Sequence, residues 1–199
     1  MKATILTIKR DSDPMDPRKE YDNLGTIATW HRRYTLGDVQ PKVSPDEYRK
    51  ENVPEGSVEL PVYMLDHSGL TLRTDDTMFR ACDSQRWDWG QLGFIYCTPE
   101  KIKEAYSCQE ITPEVIEKVE NVLKQEIVTY NQVLQGEVWG YIAEVEGVED
   151  SCWGFIGETL EETGLAESLP PQIGKELIEH AWECRAKACI ELARWNRAP

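Results

Sequence analysis

The chain has 199 residues, 40% of them apolar, with 7 Trp, 8 Tyr and 3 Phe, enough to bury a core and too apolar for an intrinsically disordered chain. Its 36 Asp and Glu against 22 Lys and Arg give a formal charge of −14, which argues against bulk nucleic-acid binding, because that mode depends on Lys and Arg displacing counterions from phosphates. No apolar stretch approaches the roughly 20 residues of a membrane helix, and the opening MKATILTIK is too short and polar for a secretory signal, so a cytosolic protein without membrane contact is expected.

In chain order, residues 2–9 are β-branched and partly alternating and predict a strand. DSDPMDPRKEYD, with two prolines and four aspartates, reads as a loop, and LGTIATWHRRYT (residues 24–35) as a second strand closed by Gly37-Asp38. A long surface excursion follows from Val39 to Gly56. PVYML (61–65) and GLTLR (69–73) read as short strands around Asp66-His67-Ser68-Gly69, and LGFIYC (92–97) as another.

Helices dominate afterwards. Thr98-Pro99-Glu100 and Thr112-Pro113-Glu114 each combine an N-cap hydroxyl, proline at the first helical position and a first-turn carboxylate. The second helix should run to about Gln135, with Val115, Ile116, Val119, Val122, Leu123, Ile127, Tyr130, Val133 and Leu134 spaced at three and four along one stripe. EVWGYIAEV (137–145) returns as a strand. After Leu169-Pro170-Pro171 a last helix, about 172–195, carries a broad apolar face including Trp182, Cys189 and Trp195. The expected fold is α+β, an antiparallel or mixed sheet crossed by one long helix, with a domain over 1–165 and a C-terminal helical segment over 166–199 packed on it or at a homodimer interface.

The six cysteines, at 82, 97, 108, 152, 184 and 189, form no C-x-x-C pair and read as reduced, mostly buried thiols. The acid is concentrated late in the chain: residues 1–50 carry 10 basic and 8 acidic side chains, and residues 112–199 carry 7 and 17. Most of that acid suits solvated helix faces, and a surface imitating DNA phosphates is the sharper alternative.

Four polar clusters are not required by local structure. Trp30-His31-Arg32-Arg33-Tyr34, leading to Asp38, would in a strand put His31 and Arg33 on one face and Trp30, Arg32 and Tyr34 on the other, giving either a solubilised edge or a guanidinium fork for phosphate or carboxylate. Asp66-His67-Ser68-Gly69 is either a capped turn or an imidazole oriented by Asp beside a hydroxyl. Trp87-Asp88-Trp89 with Gln91 offers either a stacking wall for a planar ligand or core filling beneath a loop. In Glu149-Asp150-Ser151-Cys152-Trp153, the carboxylates disfavour a thiolate at Cys152, which reads as a small buried thiol. Asp38, Asp66, Asp88 and Asp150 together have the oxygen chemistry of a divalent-cation site, but no spacing fits a metal loop, and no cofactor motif is present.

YDNLGTIATWHRRYTLGD, LPVYMLDHSGLTL, WDWGQLGFIYCTPEKI, TYNQVLQGEVWGYIAEVEG and EDSCWGFIG together resemble a family of uncharacterised proteins found mostly in bacteriophages and other mobile elements. The resemblance covers roughly residues 16–160, with Trp89 standing where the family commonly has serine. It implies a virus acting inside a bacterial cytoplasm and carries no catalytic assignment. The expected function is an acidic accessory protein that binds and inhibits a host defence or nucleic-acid-processing factor through its acidic C-terminal half. The competing expectation is a nucleotide-binding or nucleotide-hydrolysing domain, with His31, Arg32 or Arg33 holding phosphate, Trp87 and Trp89 stacking the base, and Asp66, His67 and Asp88 handling proton chemistry.

Overall fold

The computed structural model describes residues 4–195, with side chains described through Arg185. In chain order the elements are β1 (Ile5–Arg10), α1 (Pro17–Glu20), β2 (Thr26–Thr29), α2 (Pro45–Asn52), β3 (Val58–Asp66), β4 (Leu70–Arg73), α3 (Thr77–Cys82), β5 (Trp89–Cys97), α4 (Pro99–Tyr106), α5 (Pro113–Leu134), β6 (Val138–Val145), β7 (Val148–Ile156), α6 (Leu160–Thr163), α7 (Leu165–Ser168) and α8 (Lys175–Trp195). The fold is α+β, with open antiparallel sheets and one long helix. Two compact units emerge. One runs from Asp16 to Gln135, and the other joins the residues before Asp16 to those after Gln135. The sequence expectation drew its boundary at 165/166; the unit division instead follows the pairing of β1 with β6, from Ile5 opposite Glu144 to Arg10 opposite Trp139.

In the unit from Asp16 to Gln135 the sheet order is β2-β5-β3-β4. Leu92 to Cys97 of β5 is buried on both faces, which is why it reads as an unbroken apolar run. On one face Ile95 and Cys97 meet Val119, Leu123, Ile127 and Tyr130 of α5; on the other Phe94 and Tyr96 meet Trp30 and Tyr48. Each of the aliphatic side chains so buried contributes about 1.5–3 kcal/mol. Ile116 and Val122 of the expected α5 stripe lie on the solvated side.

Polar side chains fix how α5 lies on this sheet. The Asn131 Oδ1 accepts the Leu72 N–H at 2.7 Å, covering a donor on edge strand β4, and the Tyr130 hydroxyl accepts the Gly37 N–H at 3.0 Å. Glu126 reaches across to the turn before β2, where its Oε1 accepts the Leu24 and Gly25 N–H groups at 2.7 and 3.1 Å. Its Oε2 takes Arg18 Nη1 at 2.7 Å. The Arg18 side chain is only 3% exposed. Its remaining donors go to Asp38 Oδ1 and Oδ2 at 2.9 and 2.6 Å, Asn23 Oδ1 at 2.8 Å and the Gly25 carbonyl at 2.8 Å, so all five guanidinium N–H groups are used. Burial alone would lower the Arg18 pKa, but its bonds to Asp38 and Glu126 outweigh that and raise it. A Cβ at Gly25 would meet Leu123 and Ile95 at 2.6–2.7 Å, so only glycine lets the turn approach α5 this closely.

In the other unit, β1-β6-β7 form the sheet. Leu6, Ile8, Trp139, Tyr141 and Ala143 pack with Leu165, Leu169, Ile173, Ile178 and Ala181. Helix α8 therefore uses its first half for core packing, with Trp182 5.2 Å from the Trp139 ring; Cys189 and Trp195 of the expected apolar face lie outside the described side chains. Val145 pairs with Val148 around Glu146-Gly147, both at positive φ (54° and 88°), as a two-residue hairpin demands. Cys152 is exposed on edge strand β7 and not buried as expected, because the core of this unit packs on β1 and β6 and reaches β7 only at Phe155. Five cysteines among the described residues are free, and Cys97 alone of them is buried, its thiol pushed up to about 11 chiefly by loss of hydration.

Replacing Arg18 with Ala would leave Asp38 and Glu126 without their shared cation. We expect urea denaturation to show a loss of about 3–5 kcal/mol. Gly93→Ala should be comparably damaging, because its Cβ would lie 2.0 Å from the Ala28 carbonyl oxygen on the neighbouring strand; circular dichroism should show loss of cooperative melting.

Candidate functional site

Strand β2 ends at Thr29, so the expected alternation of residues 30–34 across two faces does not hold. The physical cause is His31. Its Nδ1 accepts the backbone N–H groups of Arg33 and Tyr34 at 3.2 and 3.1 Å, folding the chain into a turn, and its ring stacks on Tyr34 with centroids 5.0 Å apart. Trp30 turns inward and donates Nε1 to the Val43 carbonyl at 2.8 Å. Arg32 and Arg33 consequently part: Arg32 borders a recess with Gln40 and Pro41, while Arg33 borders a different groove. They do not form a joint fork.

That second groove, about 280 Å³, is lined by His31, Arg33, Asp66, Trp87, Asp88 and Gln91 together with Met64, Trp89, Gly90 and Leu92. Six of the eleven expected site residues thus share one open surface depression. Its floor is shaped by a bulge in β5. Val62 pairs with Gly93 but Tyr63 pairs with Gln91, so Leu92 is the extra residue and the start of β5 is re-aimed. Arg33 Nη2 donates to Asp66 Oδ2, which also accepts the Tyr34 hydroxyl at 3.2 Å.

The segment Asp66-His67-Ser68-Gly69 is the β3–β4 turn, with Ser68 left-handed at φ 60° and exposed. Asp66 and His67 take different partners: His67 Nδ1 lies 2.9 Å from Asp88 Oδ2, and the Asp66 N–H donates to the Asp88 carbonyl at 2.8 Å. The pair capable of orienting an imidazole is therefore His67 with Asp88, and sequence adjacency pointed to the wrong aspartate.

The two tryptophans separate as well. Trp89 is 7% exposed, packs edgewise on Tyr63 and at a tilt on Phe79, and donates Nε1 to the Asp83 carbonyl at 2.7 Å. Trp87 is 78% exposed. No two-ring stacking wall exists. What holds Trp87 outward is Asp83, unnoticed in the sequence reading as an organising residue. Its Oδ1 accepts the Gln85 N–H at 3.1 Å and its Oδ2 accepts those of Trp87 and Asp88 at 2.6 and 3.2 Å. Arg86, at φ 58°, lays its guanidinium 4.8 Å from the Trp89 ring. Lost hydration pulls the Asp83 carboxyl upward, yet the backbone donors outweigh it and hold its pKa below the usual aspartate range. The local signal was D-x-Q-x-W-D, an Asx-type turn start followed by three amides to be bonded.

Asp38 and Asp150 stand apart. Asp38 is bonded to Arg18 and to the Ile27 N–H at 2.7 Å. Asp150, in the unit built on β6 and β7, accepts the Tyr141 hydroxyl at 2.9 Å. Among the described residues no group of three or more His, Cys, Asp or Glu is placed to hold a metal ion, and no helix is long and apolar enough to cross a membrane. No protein-family model, curated protein or solved structure matches the chain.

Replacing Asp83 with Ala should release three backbone amides. Hydrogen exchange at Gln85, Trp87 and Asp88 is expected to accelerate at least about tenfold with little change in global melting. Because the folded pKa is depressed, the stabilisation is present at neutral pH and is lost as pH falls through and below the ordinary aspartate range; acidification should therefore loosen this loop in the wild type and leave Asp83→Ala unaffected.

Proposed function

We propose that the chain is a phage-encoded accessory protein that binds and inhibits a host defence or nucleic-acid-processing factor in the bacterial cytoplasm, and that the Trp87 loop anchors the contact. One observation carries this reading. Trp87 is the most exposed large apolar side chain among the described residues, at 78%, and its backbone is fixed by Asp83. Leaving an indole in water is costly, and a rigid loop spares the entropy of ordering it on binding. Tryptophan and arginine dominate the energetics of protein interfaces, and Arg33 and Asp88 line the same groove as this indole, with His67 bonded to Asp88. Within the acidic C-terminal half expected to make the contact, α5 receives less support, because its outward face mixes Glu114 and Glu117 with Lys118 and Lys124.

A nucleotide-type ligand is the second reading, favoured by the convergence of His31, Arg33, Asp66, Trp87, Asp88 and Gln91 on one groove. It is the weaker of the two. Asp66 already engages Arg33, Asp66 and Asp88 face the space a phosphate would enter, and the groove falls short of the roughly 300–1,000 Å³ usual for small-molecule sites.

Tagged protein should recover a host defence or DNA-processing protein in stoichiometric yield from infected cells, and Trp87→Ala should reduce that yield at least about tenfold, the loss of one interface anchor. Recovery unchanged by Trp87→Ala, or no recovery, refutes the reading. Quenching of tryptophan fluorescence by a nucleotide at micromolar concentration that is lost in Trp87→Phe would transfer support to the second.

A further inference from the structure

The unit containing β6 and β7 has a groove of about 760 Å³ between α6 and α8. All its lining residues belong to that unit. Its apolar floor is Leu160, Ala166, Ile178 and Trp182, and its rim carries Glu158, Glu161, Glu179 and Glu183. Two cationic side chains also border it. Lys175 is 3.5 Å from Glu179 at the solvent-exposed rim, and the Arg185 guanidinium carbon lies over Trp182, 3.3 Å from the ring centroid.

Four carboxylates against two cations give the rim a negative balance around an apolar floor. No strand residue lines the groove. The groove therefore offers no free strand edge for an extended peptide to pair with, and suits a segment that brings its own backbone bonds.

We propose that this groove docks an amphipathic helix of a partner protein, its apolar stripe on Trp182 and Ile178 and its flanking Lys or Arg side chains against Glu158, Glu161, Glu179 and Glu183. Charge complementarity selects this occupant: acidic helices are repelled by the rim, and a purely apolar helix leaves the rim's negative balance uncompensated. The groove and the Trp87 loop belong to different units and share no residue, so the two assignments are tested by different substitutions.

The test uses the full chain and fluorescence-labelled synthetic amphipathic helices of about 18 residues. One peptide carries Leu with Lys, a second Leu with Glu, and a third has the Leu/Lys composition scrambled to destroy the stripe. The Leu/Lys helix should bind with an affinity that falls as salt rises, and the other two should not. Glu179→Lys with Glu183→Lys should weaken binding at least about tenfold, and the milder Glu179→Gln with Glu183→Gln should weaken it partially, both without altering the melting profile. Glu114→Lys with Glu117→Lys on α5 should have no effect. No binding of the Leu/Lys helix overturns the proposal, as does equal weakening by the α5 substitutions, which would mean that net charge alone attracts the peptide. Equal binding of the scrambled or acidic peptide overturns it too. A wild-type dimer in light scattering that the groove substitutions dissociate would replace the partner helix with a second copy of the chain.

Discussion

A single buried guanidinium organises the unit from Asp16 to Gln135. Arg18 stands on a four-residue helix capped by Asp16, whose side chain accepts the Arg18 N–H at 3.0 Å. From there it ties the turn before β2 through Asn23 and Gly25, the turn after β2 through Asp38, and α5 through Glu126. Such a charge is tolerable inside a protein only when every donor has a partner and the net charge of the cluster is low. Both carboxylates also accept backbone N–H groups from Leu24, Gly25 and Ile27. The network thus specifies where the long helix crosses the sheet, which apolar packing along a smooth stripe leaves loosely defined.

The opposite behaviour appears at the groove. There the charged groups are exposed: the Arg33 side chain is 70% accessible and His67 71%, and such pairs contribute little to stability in water. The residues that build this surface are instead held by backbone bonds, those of Asp83 to its own loop and those of His31 to the next turn. Rigid main chain beneath solvent-facing Trp, Arg and His side chains is what a recognition surface requires, because little ordering entropy remains to be lost on contact. Four of the 36 acidic residues, Glu158, Glu161, Glu179 and Glu183, stand elsewhere, around the apolar floor between α6 and α8.

Much of the architecture was legible in the sequence because its signals were local. The hydroxyl-proline-acid starts of α4 and α5, the alternation of the strands and the stripe of α5 all translate one short window into one element. The same signature at Ser44-Pro45-Asp46 begins α2 and its aspartate form at Asp16-Pro17 begins α1, yet both lie in segments whose prolines and charges read as loop. The β6–β7 hairpin was hidden because Glu146 occupies a positive-φ position usually filled by Asn, Asp or Gly. At the site, the residue types were legible and their pairings were not. Asp38 joined the candidates by proximity in sequence to Arg33, whereas its partner, Arg18, lies 20 residues upstream. His67 pairs with Asp88 across two strands and not with its neighbour Asp66. Long-range pairing follows from sheet register, which a bulge at Leu92 alters by one residue.

The central claim is that the Trp87 surface is where a host protein is engaged. Its most direct measurement is site-specific photocrosslinking in infected bacteria, with p-benzoylphenylalanine incorporated in place of Trp87 and, separately, in place of Lys118 on the outward side of α5. The account predicts one discrete crosslinked host protein from position 87 and none from position 118. Absence of a crosslink at position 87, or the same product from both positions, would contradict it.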